Sequence, residues 1–196
     1  NGRNLYELYD EAHTPWDWHE SLFSLVKKLG MIPFSSPFDK TSVDFLDSLD
    51  VPCFKVASFE CTDLPLVGYI ASKGKPMIIS TGMASVSEID ETVKTAKANG
   101  CNDIILLKCT STYPAKPNNT NILTIPHLRK MFDCEVGLSD HTMGLGVSVA
   151  SIALGATVIE KHFTHKRSEG GVDSAFSMEP QELKSLVVET ERAHQA

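Results

Sequence analysis

Short apolar runs recur along this chain at intervals of one strand and one helix, and this repeat constrains the fold more than any other feature. Six runs are rich in β-formers and end in a hydroxyl or an imidazole: MIPFSS, CFKVAS, PMIIST, DIILLKCTS, EVGLSDH and TVIEKHF. Their end markers Ser36, Ser58, Ser80, Ser111, Ser139 and His162 lie 22 to 31 residues apart. The runs are mostly continuous rather than alternating, as in parallel strands covered on both faces. The sequence therefore predicts consecutive βα units with right-handed crossovers.

Helical periodicity fills the intervals between the runs. The segment Glu20 to Gly30 predicts a helix that leads into the first run, and a small-residue segment, GLGVSVASIALGA, separates the last two. Ser85 lies three residues before Glu88, which predicts a capping box, and Gly100 is a plausible C-cap. The other predicted helices are TSVDFLDSL, LPLVGYIASKG, SVSEIDETVKTAKANG, IPHLRKMF and PQELKSLVVETERAHQA.

Two folds accommodate consecutive βα units. A doubly wound open sheet normally carries a glycine-rich phosphate loop, and the sequence has none. A (β/α)₈ barrel needs eight strands and about 250 residues, whereas this chain has 196 residues. We therefore expect residues 1–196 to form one domain, an incomplete (β/α)₈ TIM barrel of about six βα units that lacks the first two strands.

Composition excludes several classes of protein. The formal net charge is −7 and the pI is about 5.5, which argues against nucleic acid or an anionic membrane as the main partner. No apolar run reaches the ~18 residues that a membrane span needs, and the amino terminus has no apolar signal core. Five cysteines without a CxxC pair favour reduced thiols and a cytoplasmic location.

Two histidines close neighbouring runs and predict a metal site. His141 follows EVGLSD and His162 follows TVIEK, so both stand at the carboxyl ends of adjacent predicted strands. Two imidazoles at this rim can share one divalent ion, with water and substrate in the other positions. The alternative, a core histidine and an unrelated loop residue, remains open from the residues alone. Asp140, beside His141, is a candidate for a group that orders this part of the rim.

A lysine and five serines predict a binding site for a phosphate ester. Lys55 interrupts an apolar strand, and a lysine that points into a barrel is costly unless it has a partner. A ring of hydroxyls around one fixed cation suits a phosphoryl group. Each serine alone is equally consistent with a strand-end cap, and Lys108 faces either the interior or the helices. The serines are Ser36, Ser58, Ser80, Ser111 and Ser139.

Three carboxylates and a tyrosine complete the candidate rim. Glu60 follows Ser58 by two residues, and Glu160 precedes His162 by two, so each pair shares one face of a strand. Asp173 lies in a polar loop long enough to close over the mouth. Tyr113 is in reach of a substrate hydroxyl, although packing against Pro114 explains it equally well.

Seven motifs follow one another along the chain: FSSPFD, FKVASFE, STGMAS, LKCTSTYPA, VGLSDHTMG, ALGATVIEKHFT and VDSAFSMEP. In these motifs, and over essentially its whole length, the sequence resembles the sialic acid synthase family, which condenses phosphoenolpyruvate with N-acylated hexoses to make nonulosonic acids. The closer resemblance is to the pseudaminic acid branch. It lies in LYELYDEAHTPWDWH, in Phe59 of the Ser58–Glu60 triplet, and in Ser174 and Ala175, where the neuraminate branch has a His-Lys pair.

The resemblance implies a role for each candidate residue, a divalent ion (Mn²⁺, Mg²⁺ or Co²⁺) and a homodimer. It also implies that two amino-terminal βα units and a carboxyl-terminal antifreeze-like domain are absent from this chain. The implied metal ligands are His141 and His162. The implied catalytic residues are Glu160, Lys55 and Glu60. The implied substrate-binding residues are Ser36, Lys55, Ser58, Ser80, Ser111, Tyr113, Ser139 and Asp173.

The resemblance implies condensation of phosphoenolpyruvate with 2,4-diacetamido-2,4,6-trideoxy-L-altrose and water, giving pseudaminic acid and phosphate. One alternative is an N-acetylneuraminate or legionaminate synthase that uses N-acetylmannosamine or a related sugar. A metal-dependent barrel hydrolase is a weaker alternative, since such sites usually carry a His-x-His pair and this sequence has none. A non-catalytic truncated barrel that serves binding or assembly is the alternative from another class.

Overall fold

The computed structural model describes residues 4–196, in which helices and short strands alternate from residue 40 onward. The strands are Phe54–Val56 (β1), Met77–Ser80 (β2), Ile104–Cys109 (β3), Glu135–Asp140 (β4) and Ile159–Lys161 (β5). The α-helices are Leu5–Ala12 (α1), Trp16–Lys28 (α2), Lys40–Ser48 (α3), Leu64–Ala71 (α4), Val86–Ala98 (α5), Thr124–Phe132 (α6), Gly146–Ala153 (α7) and Pro180–Gln195 (α8).

All five strands are parallel, and each pairs with its neighbour in sequence, in the order β1-β2-β3-β4-β5. A doubly wound sheet reverses its strand order at a switch point, whereas a barrel proceeds in one direction. The order therefore confirms the prediction of an incomplete barrel. Because the strands are parallel, their carboxyl ends lie at one rim.

The first of the six predicted strands does not form. The segment 31–36 has no strand assignment, and one backbone hydrogen bond, from the Lys55 N–H to the Ser35 carbonyl oxygen (3.4 Å), joins it to β1. Pro33 within the segment and Pro37 after it have no N–H to donate to a ladder. Five strands rather than six are the correct number for the described residues.

The two faces of the sheet differ in polarity. Side chains that point outward pack beneath the helices and make the main apolar core, whereas those that point inward include charged and hydroxyl groups. The outward side chains in this core are Phe54, Val56, Met77, Ile79, Ile104, Leu106, Val136 and Leu138. Alternation along each strand explains the division, because consecutive residues point to opposite faces.

Local signals in the sequence place the helix ends. Ser85 and Glu88 form the predicted capping box at the start of α5, with the Ser85 N–H donating to the Glu88 carboxylate at 2.7 Å. Gly100 follows the C-cap Asn99 with φ of 103°, a left-handed conformation that favours glycine. Among the described residues, no helix combines the length and apolar character that crossing a membrane requires.

Candidate functional site

The two histidines meet at the carboxyl rim, beside the ends of β4 and β5. The ring centroids of His141 and His162 are 5.2 Å apart, and the Tyr113 ring packs against both, at 4.3 Å and 5.9 Å. A nitrogen–metal distance is about 2.0–2.1 Å, so two rings whose centres are 5.2 Å apart would share one ion once a nitrogen of each points toward it. The structure therefore brings together the residues that the sequence predicted as a pair.

The hydrogen bond of His141 fixes which nitrogen is available. Its Nδ1 lies 2.9 Å from the Thr110 carbonyl oxygen, which only accepts, so Nδ1 carries the proton. The lone pair then resides on Nε2, the arrangement that metal-bound histidines commonly show. Within residues 4–196, no group of three or more His, Cys, Asp and Glu side chains converges closely enough to hold a metal ion. The residues thus fit a site with two protein ligands and further positions open to water and substrate.

The surroundings of His141 and His162 shift the pKa values of the two rings in opposite directions. Burial alone would lower the pKa of His141, but its contacts with the Cys109 thiol and the Thr110 carbonyl raise the pKa overall. Burial and the neighbouring His141 ring lower the pKa of His162. Burial opposes ionisation of Cys109, but contacts with His141 and Ser58 lower the pKa of its thiol to about 7.

Lys55 points into the barrel, as predicted, and connects three strands. Its ammonium donates to the Ser80 hydroxyl of β2 at 2.9 Å and to the Val56 carbonyl at 3.1 Å. It also lies 3.5 Å from the Glu160 carboxylate of β5, which accepts from the Ser139 hydroxyl at 2.6 Å. Lys55 is 7% exposed, so a cation is held in the interior with hydroxyl groups around it.

A narrow cradle forms between the ends of β1, β2 and β3. The Gly82 N–H donates to the Ser58 hydroxyl at 3.1 Å, and the Ser111 hydroxyl lies 3.8 Å from the Cys109 sulfur. A Cβ at Gly82 would approach Ser111 Oγ to 2.3 Å and both Cys109 Sγ and Ser58 Oγ to 2.9 Å. Glycine at this position therefore keeps the hydroxyl groups of Ser58 and Ser111 accessible to a small anion.

The loop after β5 adds an acid and an aromatic ring to the histidine pair. An oxygen of Asp173 lies 3.8 Å from His162 Nδ1, and the Phe176 ring lies 5.1 Å from the His162 ring. Asp173 adopts φ of 61°, and its carbonyl oxygen accepts from the Ser177 hydroxyl at 2.8 Å. The loop thus presents one polar and one apolar group toward the mouth.

Glu60 lies in a short 3₁₀ helix, Glu60–Thr62, because β1 ends at Val56 and the chain then turns. The prediction that Glu60 and Ser58 share one face of a strand is therefore wrong. Burial raises the pKa of the Glu60 carboxyl group, and its Oε2 atom is buried without a hydrogen-bond partner among the described residues. A buried oxygen in this state is costly to the fold and is a candidate for pairing with a bound molecule.

Two further interpretations of the sequence change with the structure. Ser36 lies in the segment that forms no strand, and it does not hydrogen-bond to any other candidate site residue among the described residues. Lys108, left open between two faces, pairs in register with Leu138 on the outward face and donates to Thr110 Oγ1 at 2.8 Å. Lys108 therefore lies outside the interior site.

Cys109 and Gly82 line the site but were not predicted to do so. Cys109 lies two residues before Ser111, and the alternation of the strand could have placed both side chains on the inner face. Gly82 follows directly after the run that ends in Ser80 and Thr81. Phe176 lies in the VDSAFSMEP motif of the predicted loop, and only its packing against His162 and Tyr113 depended on tertiary contacts.

The sequence matches the NeuB family over residues 1–196. The chain belongs to this family. It is 43% identical over 194 residues to the pseudaminic acid synthase of Campylobacter jejuni, an alignment that covers 99% of this chain and 57% of that protein. It is also 43% identical over 198 residues to the N,N′-diacetyllegionaminic acid synthase of the same species, covering 100% of this chain and 59% of that protein.

A solved relative shares the fold. The N-acetylneuraminic acid synthetase of Leptospira borgpetersenii, in complex with citrate, superposes with a TM-score of 0.94 at 33% identity, covering 99% of this chain and 68% of that chain. The chain thus spans somewhat more than half the length of the two curated synthases. Its match to the family confirms the resemblance inferred from the seven motifs.

Proposed function

We propose that the protein containing this chain condenses phosphoenolpyruvate with an N-acylated amino-hexose and water, releasing a nonulosonic acid and phosphate. The observation that carries the proposal is the inward-pointing Lys55, held among Ser80, Glu160 and Ser139 beside the two rim histidines. The fixed cation would bind an anionic substrate, and the adjacent pair of potential metal ligands would bind a carbonyl-bearing substrate through a metal ion. Family membership and the synthase activities of the curated relatives support the same reaction.

The phosphate of phosphoenolpyruvate is assigned to the Lys55 side of the site. Lys55 contributes the positive charge, and hydroxyl groups at the ends of four strands contribute short donors. Contact with a phosphoryl oxygen would replace the present bonds between these side chains. The assigned hydroxyls are Ser58, Ser80, Ser111 and Ser139, whereas Ser36 would need the segment 31–36 to shift toward them.

The sugar aldehyde is assigned to the histidine side. Here the Nε2 lone pair of His141 and the ring of His162 would hold a divalent ion (Mn²⁺, Mg²⁺ or Co²⁺). When bound, the ion supplies Lewis-acid polarisation of the sugar carbonyl oxygen. The enol carbon of phosphoenolpyruvate attacks the carbonyl carbon, water adds to the former enol-ether carbon, and the bond to the phosphate oxygen breaks. Lys55 and the serines hold the phosphoryl group throughout.

Glu160 is the candidate for moving a proton at the reacting centre. It lies between the Lys55 ammonium and the Ser139 hydroxyl, on the same face as His162. A carboxylate between the two halves of the site would be within reach of both proposed substrates. Glu60, Tyr113 and Asp173 surround the mouth and are assigned to the sugar.

We assign the sugar to the 2,4-diacetamido-2,4,6-trideoxy-L-altrose that leads to pseudaminic acid. Phe176 is 9% exposed, and its ring faces both His162 and Tyr113. An apolar wall in this position suits a methyl group where other hexoses carry a hydroxymethyl group. Identities of 43% to both synthases support a diacetamido sugar but do not separate the pseudaminic from the legionaminic precursor. The legionaminic precursor is therefore the second candidate.

The whole protein is expected to be a cytoplasmic homodimer that contains further barrel strands and a carboxyl-terminal domain. The greater length of the curated relatives supports the additional segments. Light scattering coupled to gel filtration of the full-length protein tests the dimer.

A phosphate-release assay of the full-length protein tests the reaction. We expect phosphate only when phosphoenolpyruvate and a sugar are both present, with activity removed by a chelator and restored by Mn²⁺. The sugars to compare are the pseudaminic precursor, the legionaminic precursor and N-acetylmannosamine. Equal catalytic efficiency on N-acetylmannosamine would contradict the assigned sugar, and phosphate release without any sugar would contradict the condensation.

A further inference from the structure

A buried ion pair lies behind the two histidines, on the opposite face of the sheet. Lys161 Nζ is 3.1 Å from Asp140 Oδ2, and the side chains are 4% and 1% exposed respectively. Asp140 accepts from the Thr142 N–H at 2.8 Å and from the Ser148 hydroxyl of α7 at 2.6 Å. Lys161 also donates to the Thr142 carbonyl. Each charge therefore has several partners, and neither side chain points into the inward-facing site.

The pair occupies the last rung of the ladder between β4 and β5. Asp140 is in register with Lys161, and the next residue on each strand is one of the two histidines. Beyond this rung the backbones separate. The His141 carbonyl accepts from the Ala115 N–H at 2.9 Å, and the His162 carbonyl accepts from the Met178 N–H at 2.8 Å. The ion pair is thus the final link between the strands before the imidazoles.

Stability alone does not account for such a pair. Burial of two charges costs several kcal/mol per ion, and an apolar pair of similar volume often gives an equal or more stable fold. An ion pair differs from an apolar pair in fixing a distance and a direction. We propose that Asp140 and Lys161 are positioning residues that hold β4 and β5 in register, so that His141 and His162 converge on one divalent ion. This inference rests on the proposed function.

The first test uses one serine pair on the same helix. Ser148 and Ser151 are both fully buried in α7, but Ser148 donates to Asp140 whereas Ser151 donates to the Ser148 carbonyl. Ser148→Ala loosens Asp140 without removing a charge, and Ser151→Ala is the matched control. The dissociation constant for Mn²⁺ is measured by calorimetry on the metal-free full-length protein, together with its thermal midpoint.

The second test removes both charges. The variant D140N/K161M keeps similar volume, and D90N/K94M makes the same two substitutions in an exposed pair on α5 whose side chains are 43% and 73% exposed. Loss of groups that orient metal ligands typically weakens metal binding about 10–100-fold, and we expect this rise in the Mn²⁺ dissociation constant for D140N/K161M. The visible absorption spectrum of bound Co²⁺ should change in the same variant, reporting altered ligand geometry.

The outcomes separate this inference from the metal site itself. A smaller loss of Mn²⁺ affinity in Ser148→Ala, with Ser151→Ala and D90N/K94M unchanged, supports the inference even where D140N/K161M does not fold. Unaltered Mn²⁺ affinity and Co²⁺ spectrum in folded Ser148→Ala and D140N/K161M would overturn it. Equal Mn²⁺ binding by the unaltered protein and by H141A/H162A would overturn the metal site on which it rests.

Discussion

Two lysine–carboxylate pairs lie on opposite faces of the same sheet, and they differ in how completely they are enclosed. Lys55 and Glu160 face the interior at 3.5 Å, with side chains 8% and 39% exposed. Lys161 and Asp140 face the helices at 3.1 Å, with side chains 4% and 1% exposed. The interior pair is looser and one member reaches solvent, whereas the outer pair is closed off by Ser148 and Thr142.

The difference shows how one sheet can hold charge for two purposes. Charges that must meet a substrate need partners that can be exchanged, and the Ser80 and Ser139 hydroxyls around the interior pair are of this kind. Charges that set geometry need partners that stay, and both members of the outer pair bond to the Thr142 backbone. In the interior pair, among the described residues, Lys55 alone has a backbone partner, the Val56 carbonyl. The strand alternation that separates apolar from polar residues thus also separates these two ion pairs.

Removal of Lys161 should produce the largest change in stability. Lys161→Met leaves the Asp140 carboxylate buried without its cation, and breaking a buried pair in this way typically costs about 3–5 kcal/mol. Urea denaturation of the full-length protein measures the change. Lys94→Met, in the exposed pair on α5, is the control and should cost at most about 1 kcal/mol. If Lys161→Met lowered the free energy of unfolding no more than Lys94→Met does, the Lys161–Asp140 pair would not behave as a closed, buried ion pair.

Removal of Lys55 should affect substrate binding rather than the fold. Glu160 remains partly solvated without its partner, so Lys55→Met should cost less stability than Lys161→Met. A charge-assisted contact is worth about 1.5–3 kcal/mol, so we expect the KM for phosphoenolpyruvate to rise about 10–100-fold and the KM for the sugar to stay constant. Lys108→Met, on the outward face, is the matched control. An unchanged KM for phosphoenolpyruvate would show that Lys55 has a structural role and does not bind the phosphate.

Filling the cradle beside the interior pair should give an intermediate effect. In Gly82→Ala the new methyl group approaches Ser111 Oγ to 2.3 Å, and overpacking of this kind typically costs about 1–3 kcal/mol. We expect a raised KM for phosphoenolpyruvate with little change in metal affinity. Gly146→Ala in α7 is the control, because no atoms outside its helix backbone lie within 4 Å of the added carbon. An equal KM for phosphoenolpyruvate in the two variants would show that Gly82 does not shape the phosphate-binding site.

The smallest effect is expected for Glu60, whose Oε2 atom is buried without a hydrogen-bond partner among the described residues. Because burial raises its folded-state pKa above the unfolded value, the ionised group lowers stability once the pH exceeds the unfolded pKa. Glu60→Gln should therefore raise the thermal midpoint at pH 8, and the gain should shrink as the pH falls toward 4. Exposed Glu91→Gln is the control. A gain that is the same at both pH values would contradict the burial of the charge.

Much of this site was predictable because strand ends carry local signals. The interruption of an apolar run predicted that Lys55 points inward, and the two-residue spacing predicted that Glu160 shares a face with His162. The repeat length placed His141 and His162 at neighbouring strand ends. The same reasoning failed for Ser36, since the run around it contains Pro33 and forms no ladder. It left Lys108 undecided, because flanking residues alone did not fix its face.

The sequence by itself determined the repeat of strands and helices, the helix caps, the family and most of the polar residues of the rim. These follow from local periodicity and from motifs that each lie within a few residues. Only the tertiary structure decided that Lys55 on β1 reaches Glu160 on β5, that Gly82 opens the serine cradle, and that Lys161 closes on Asp140 behind the histidines. The physical reason is that these contacts join residues 21 to 105 positions apart, and curvature and register of the whole sheet set their distances.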